Sequence, residues 1–293
     1  MSNVVLSILL PLLAAMAVGY AWVRTGRPFD NTTLAPLAAD LALPCLIFST
    51  LVAAQLPVET LAQMALASFV ALCAFAAIGA LLLRMAGLEL RTYLPSVTWG
   101  NAGYLGIPLG LYAFGQPGLA YAAAFSAVSL VFNSVFASTI AAGRASLRAF
   151  IRNPILLAVF AGVAVRLAEV EPPRWLLEPV RLFGAMAVPL TLMMVGASLA
   201  RLRITALPLA LGFSVARSAV GIGVALAAGM AFGLPDIGLA VLVLQCATPV
   251  AMLSYVLAQR HGNEPERIAA IVAVSTWAGV ITIPAMLAFM PTG

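Results

Sequence analysis

Two stretches of the chain set polar side chains beside glycine and proline in otherwise apolar surroundings. The first reads TWGNAGYLGIPLG, with Gly100, Gly103, Gly106, Pro108 and Gly110 around Asn101 and Tyr104. The second reads QCATPVA, where Gln245 and Thr248 come before Pro249 and Val250 comes after it. Glycine weakens a helix and proline removes one of its hydrogen bonds. A helix through the first stretch should therefore break near Gly100 and Asn101, with Gly103, Gly106 and Pro108 adding to the irregularity, and one through the second should break at Pro249. A broken helix presents unpaired N–H groups and the positive end of a dipole, which suits an anion. Asn101, Tyr104, Gln245 and Thr248, with the backbone at Gly100, Pro249 and Val250, are the candidate binding groups. Val250 offers no polar side chain, so contact at that point is expected from backbone.

Asp40 and Arg217 are the ionisable groups expected deep inside apolar segments, where an unpaired charge costs several kcal/mol and needs a partner or water. Either they pair with each other or with backbone carbonyls, or Arg217 draws an anionic substrate while Asp40 exchanges a proton or binds a cation. Ser126, Ser129 and Asn133 in one alanine-rich segment, and Ser275 and Thr276 in another, are second-tier candidates. Ser129 and Thr276 stand out because they occupy matching places. Hydroxyls in such helices commonly bond to their own backbone.

These residues sit in a chain built for lipid. Of its 293 residues 63% are hydrophobic and 9% charged, with mean hydropathy +1.08, whereas about a quarter of a soluble domain is charged. A soluble protein is excluded. The net charge of +5 comes from 15 basic residues, all arginine and scattered between apolar runs, which fits loop ends and not a nucleic-acid groove. Cys45, Cys73 and Cys246 show no CxxC or Cys/His pairing, so they read as buried hydrophobes and no metal site is expected. There is no GxxxxGK[ST] loop for a nucleotide. Nor is there a carboxylate or His/Asp/Glu cluster for an intramembrane transferase, so no cofactor and no enzyme are expected.

A helix needs roughly 20 apolar residues to cross the hydrocarbon layer. Ten runs emerge, the sixth of them short because Arg166 and Glu169 lie at its end: 4–23, 34–54, 61–83, 93–114, 119–142, 154–168, 180–199, 207–232, 236–258 and 268–290. The N-terminus lacks a charged region ahead of its apolar stretch and reads as the first span, not a signal peptide. Eleven arginines follow the odd-numbered spans, and only Arg166, Arg174 and Arg181 lie on the other side. The positive-inside rule then puts both termini outside the cytoplasm. The basic segment 143–153 divides the chain into 1–142 and 154–293, five spans each. Halves with an odd number of spans are inverted if related. DLALPCLIFSTLVA and AMAVPLTLMMVGASLA match around Pro44 and Pro189, and AYAAAFSAVSL matches RIAAIVAVSTW. The expected fold is all-α and polytopic, two inverted five-helix repeats with broken, crossing spans 4 and 9.

The motif from Asn101 to Leu109, with Gly106-Ile-Pro-Leu at its end, closely resembles the fourth-helix motif of the auxin efflux carrier family. Gln245, four residues before Pro249, and the chain that follows resemble the family's second crossover, and Pro44 suits its second helix. The resemblance covers essentially the whole chain, and the short basic linker is that of bacterial members. It implies an arrangement similar to sodium/proton antiporters and bile-acid symporters. Spans 1, 2, 6 and 7 would form a scaffold that pairs in a homodimer, and spans 3–5 and 8–10 a mobile transport domain working as an elevator. Asn101 and Pro249 fall on crossover positions. Gly100 stands where plant members often have proline, and segment ALASFVALC lacks the aspartate of plant carriers, which puts auxin itself in doubt. The expectation is a secondary transporter of a small organic anion, a carboxylate foremost, in the inner membrane, with Na⁺ or H⁺ as a possible coupling ion. The alternative is a cation- or proton-coupled carrier of a bile-acid-like or hydrophobic organic acid. A passive channel would share the span count but should lack inverted broken helices.

Overall fold

The computed structural model describes residues 2–53, 56–142, 153–201, 206–288 and 290. Most of the linker expected at 143–153 lies outside them, as do Arg144, Arg148, Arg152 and Arg203. Among the described residues the chain is helical throughout, with one isolated bridging pair between Gly100 and Val250 and no strand.

α1 (Ser2–Arg24) leads to α2 (Asn31–Pro36), which continues through a π-helical stretch, Leu37–Ala42, into α3 (Leu43–Ala53). α4 (Val58–Met85) and α5 (Leu90–Thr98) follow. The helix resumes after an interruption as a second π-helical stretch, Ala102–Gly106, and runs into α6 (Ile107–Ala142). The rest of the chain forms α7 (Pro154–Leu167), α8 (Arg174–Ala185), α9 (Ala187–Arg201), α10 (Leu207–Ala231), α11 (Asp236–Ala247), α12 (Met252–His261) and α13 (Pro265–Leu287). Asn153 starts α7 by accepting the N–H of Ile155 at 2.9 Å, with Pro154 at the first helical position.

Among the described residues six stretches are long and apolar enough to cross a membrane: Thr33–Ala53, Val58–Met85, Ala102–Asn133, Arg174–Arg201, Leu207–Ala231 and Pro265–Leu287. Leu10–Arg24, Pro154–Leu167 and Asp236–Ala247 are shorter apolar helices. α6 is not one straight rod. Gly115 has φ 63° and ψ −151°, outside any helix. A Cβ placed on Gly110 would lie 2.8 Å from the Gly118 carbonyl oxygen, although eight residues of continuous helix would separate the two by about 12 Å. The chain therefore doubles back at Gly115, and α6 is two antiparallel arms.

Membrane character shows on the outside. Met85, Trp175 and Ile281 are 75%, 76% and 74% exposed, a surface that water would not tolerate on this scale and lipid does. Cys73, expected to be buried, is on this exposed surface, while Cys246 is buried and Cys45 intermediate. Small residues bring helices close inside. Gly19 packs on the Met193 backbone and Gly196 on that of Met16, so α1 and α9 touch main chain to main chain. Two buried hydroxyls bond within their own helices, Ser68 to the Met64 carbonyl at 2.6 Å and Ser214 to that of Ala210 at 2.7 Å.

Candidate functional site

The two interruptions meet. The chain leaves helical geometry at Trp99 (φ −89°, ψ 87°) and Asn101 (φ −78°, ψ 48°), and again at Thr248 (φ −55°, ψ 146°) and Ala251 (φ −69°, ψ 142°). Pro249 explains the second: its ring excludes the helical region for the residue before it and drives Thr248 extended. Asn101 N–H donates to the Pro249 carbonyl at 2.7 Å, and Ala251 N–H donates to the Trp99 carbonyl at 2.9 Å. These bonds make Gly100 and Val250 a single antiparallel pair. Each break thus supplies the other with partners that its own helix no longer offers.

Gly100 is glycine for lack of room. A Cβ there would sit 2.6 Å from Thr248 Oγ1 and 2.8 Å from Arg217 Nη2. Arg217, on α10 and only 4% exposed, donates from Nε to the carbonyls of Ser96 (3.2 Å) and Val97 (3.0 Å) and from Nη1 to the Thr248 carbonyl. Its guanidinium also lies 5.5 Å from the centre of the Phe75 ring. These carbonyls belong to the C-terminal ends of α5 and α11, the negative ends of two helix dipoles. One cation therefore caps two helices. Asp40 is not its partner: the hydrogen bonds of Arg217 all go to backbone carbonyls.

The second break is closed. Thr248 and Val250 are 0% exposed. Thr248 Oγ1 donates to the Gln245 carbonyl at 2.7 Å, and Val250 N–H donates to Ser275 Oγ at 3.1 Å. The backbone expected to contact a ligand here is taken up by protein partners. Thr276 bonds the Val272 carbonyl at 2.7 Å, and Ser129 accepts from Asn133 Nδ2 at 3.2 Å while Asn133 Oδ1 accepts from Thr98 at 2.9 Å. Ser126 donates to the Ala102 carbonyl at 3.2 Å. Ser126 and Ser275 thus brace the breaks from the flanking helices, whereas Thr276 and Ser129 find their partners within their own helices. The bond from Val250 to Ser275 had no signal in the sequence beyond a serine near a break.

The first break is open. Trp99, Gly100, Asn101, Gly103 and Tyr104 are all partly exposed. Asn101 does not cap the helix that starts after it, and no other side chain does. Gly103 and Gly106 lie in the π-helical stretch and Pro108 in the first turn of α6, so all three follow the break and do not form it. Their function is close approach: a Cβ on Gly106 would come 2.7 Å from Cδ of Gln245. Gln245 is 2% exposed, and neither atom of its amide has a partner. Leaving a buried amide unmade costs about 1–3 kcal/mol, and this one lies against the stretch that begins at Asn101. The candidate site is therefore Asn101, Tyr104, Gln245 and the uncapped helix end at Ala102.

A cavity of about 310 Å³ lies elsewhere, between α4 and α10. Its walls include Phe75, Leu83, Val97 and Phe213, and Arg217 is the one polar residue lining it. Among the described residues no group of three His, Cys, Asp or Glu side chains could hold a metal.

A family model described as Membrane transport protein matches residues 4–145 and 137–287. A protein of Rhizobium meliloti (strain 1021) named "Putative malonate transporter" is 27% identical over 310 residues, spanning 98% of this chain and 96% of its own length. The chain is accordingly a multi-pass membrane transport protein and not an enzyme, and it belongs to the auxin efflux carrier family.

Proposed function

We propose that the chain is a secondary transporter that carries a small carboxylate, malonate or a near analogue, by alternating access at the paired breaks. The observation that carries this reading is the unused hydrogen-bonding capacity at the first break, the side chain of Asn101 and the orphaned amide of Gln245 beside an uncapped helix end. A carboxylate accepts hydrogen bonds and favours the positive end of a helix. The relative's printed name, which gives malonate, supports the same class.

In this reading the ten expected spans form two inverted halves, with α5 to α6 and α11 to α12 crossing at Gly100 and Val250. α1 to α3 and α7 to α9 form the scaffold, which pairs in a homodimer, and the remaining helices move as an elevator. The membrane is the bacterial inner membrane, with both termini on its outer side.

One feature favours a second reading, a carrier of more hydrophobic organic acids. The cavity between α4 and α10 combines apolar walls with a buried cation, which suits an amphipathic monocarboxylate.

Uptake by proteoliposomes tests the proposal. Saturable malonate uptake with counterflow supports the carrier, and unsaturable flux points to a channel. Asn101→Ala should raise the malonate KM by roughly ten- to a hundredfold, the worth of one lost hydrogen bond to a charged group. An unchanged KM counts against this site.

A further inference from the structure

None of Asn101, Ala102, Tyr104 or Gln245 lines the cavity between α4 and α10. Its mouth is formed by Leu82 on α4 and by Gly212 and Ala216 on α10, all of them exposed. Leu81, Leu211 and Val215 beside them are exposed too, so the mouth opens through apolar surface and faces lipid, not water. The floor is Phe75, Val97, Phe213 and Arg217, all buried. At the roughly 30 Å³ that a water-sized group occupies in a liquid, a cavity of about 310 Å³ holds about ten such groups, the carbons of one alkyl tail and not of two.

Arg217 sets the chemistry of this floor. Its hydrogen bonds run from Nε and Nη1 to neutral backbone carbonyls, and it is in no ion pair with a described residue. The Phe75 ring, 5.5 Å from the guanidinium, eases the charge without cancelling it. A full positive charge therefore stands at low dielectric without a counter-ion, a costly state that an anionic ligand relieves. The same side chain reaches the first break. Nη2, which has no acceptor among the described residues, is the atom that a Cβ on Gly100 would approach to 2.8 Å. Arg217 thus touches both the cavity and the first break.

We propose that the cavity binds a medium-chain fatty acid drawn from the bilayer, and that the bound acid weakens malonate binding at the first break without itself being carried. The tail lies between α4 and α10, and the carboxylate rests against Arg217. A phospholipid brings two tails and does not fit, and a neutral alcohol lacks the charge. Once the acid meets the charge of Arg217, the guanidinium no longer draws a second carboxylate toward Gly100, and two anions on either side of one cation repel each other. The coupling is reciprocal, so malonate weakens binding of the acid by the same factor. The effect on malonate rests on the carboxylate-transport reading above, whereas binding of the acid does not.

The test uses the full chain in lipid, with decanoate as the probe. A decanoate analogue carrying a diazirine at the end of its tail should, on illumination, label α4 or α10. Excess decanoate should suppress the labelling, and decanol should do so only at roughly tenfold higher concentration or above, as expected when a charged contact is lost. In malonate counterflow by proteoliposomes, decanoate should raise the malonate KM about fivefold and then no further, a plateau that marks coupling between two sites and not competition for one. Gly212→Leu narrows the mouth, and it has room to do so because a Cβ there meets nothing within 4 Å. This variant should transport malonate as the wild type does and lose both the labelling and the decanoate effect. Labelling confined to other helices, or a decanoate effect of the same size in Gly212→Leu, overturns the proposal. So does a malonate KM that climbs without limit or does not move, and so does saturable counterflow of decanoate itself, which would make the acid cargo. Failure of malonate counterflow in the wild type counts instead against the carboxylate-transport reading, and the labelling still decides for the cavity.

Discussion

The first break and the second interrupt their helices alike, yet they are finished differently. At the second, Thr248, Pro249 and Val250 are buried, and the Thr248 hydroxyl, the Thr248 and Pro249 carbonyls and the Val250 N–H find protein partners in Gln245, Arg217, the first break and Ser275. At the first, the chain resumes in a wide π turn, the helix end is uncapped, and Asn101 and Tyr104 are partly exposed. The difference teaches that proline and open chemistry need not coincide. Bonds from Arg217, Ser275 and Asn101 hold the break at Pro249 as a rigid anchor, and glycine-rich backbone laid against that anchor offers the ligand its groups.

The largest expected effect comes from the residue that serves both breaks. Arg217→Met leaves the carbonyls of Ser96, Val97 and Thr248 without a donor. At about 1–3 kcal/mol for each orphaned group, it should lower stability by more than about 3 kcal/mol, visible as a large drop in the thermal midpoint of the protein in detergent. A midpoint close to wild type would show that Arg217 is not a structural cap.

Asn101→Ala sharpens the contrast from the open side. The Asn101 side chain makes no hydrogen bond that caps its helix, so stability should stay within about 0.5 kcal/mol. The stabilisation by added malonate in a thermal-shift titration should be largely lost. Ser275→Ala does the reverse on the closed side. It strips the acceptor from the Val250 N–H and should cost about 1–3 kcal/mol of stability while malonate affinity stays near wild type. If the two variants showed the same profile, the distinction between anchor and open site would collapse.

Pro249→Ala should do least. Thr248 and its neighbours are held by Ser275, Arg217 and the Gly100 pairing even without the ring. The expected loss is about 0.4–1 kcal/mol, from the greater freedom of the unfolded chain, measured by the same thermal unfolding. A loss of several kcal/mol would mean that proline itself maintains the break.

Much of this was legible beforehand. Gly100, Asn101 and Pro249 announce interrupted helices because glycine and proline act locally, and hydropathy marks the helical runs because lipid acts on every residue of a span. Long-range pairing was not legible. Nothing near Arg217 in sequence says that its guanidinium reaches carbonyls more than a hundred residues earlier, at Ser96 and Val97. Gly103 and Gly106 suggested breakage, whereas their missing side chains make room, in the case of Gly106 for the Gln245 amide. The π-helical stretch around Asp40 left no mark either, since its residues are ordinary helix formers apart from the acid.

The account turns on where the carboxylate sits, and an experimental structure of the chain in lipid with bound malonate addresses that directly. The account predicts density for the anion within hydrogen-bonding distance of the side chains of Asn101 and Gln245, beside the helix end at Ala102. Malonate found instead in the cavity between α4 and α10, against Arg217, would contradict it.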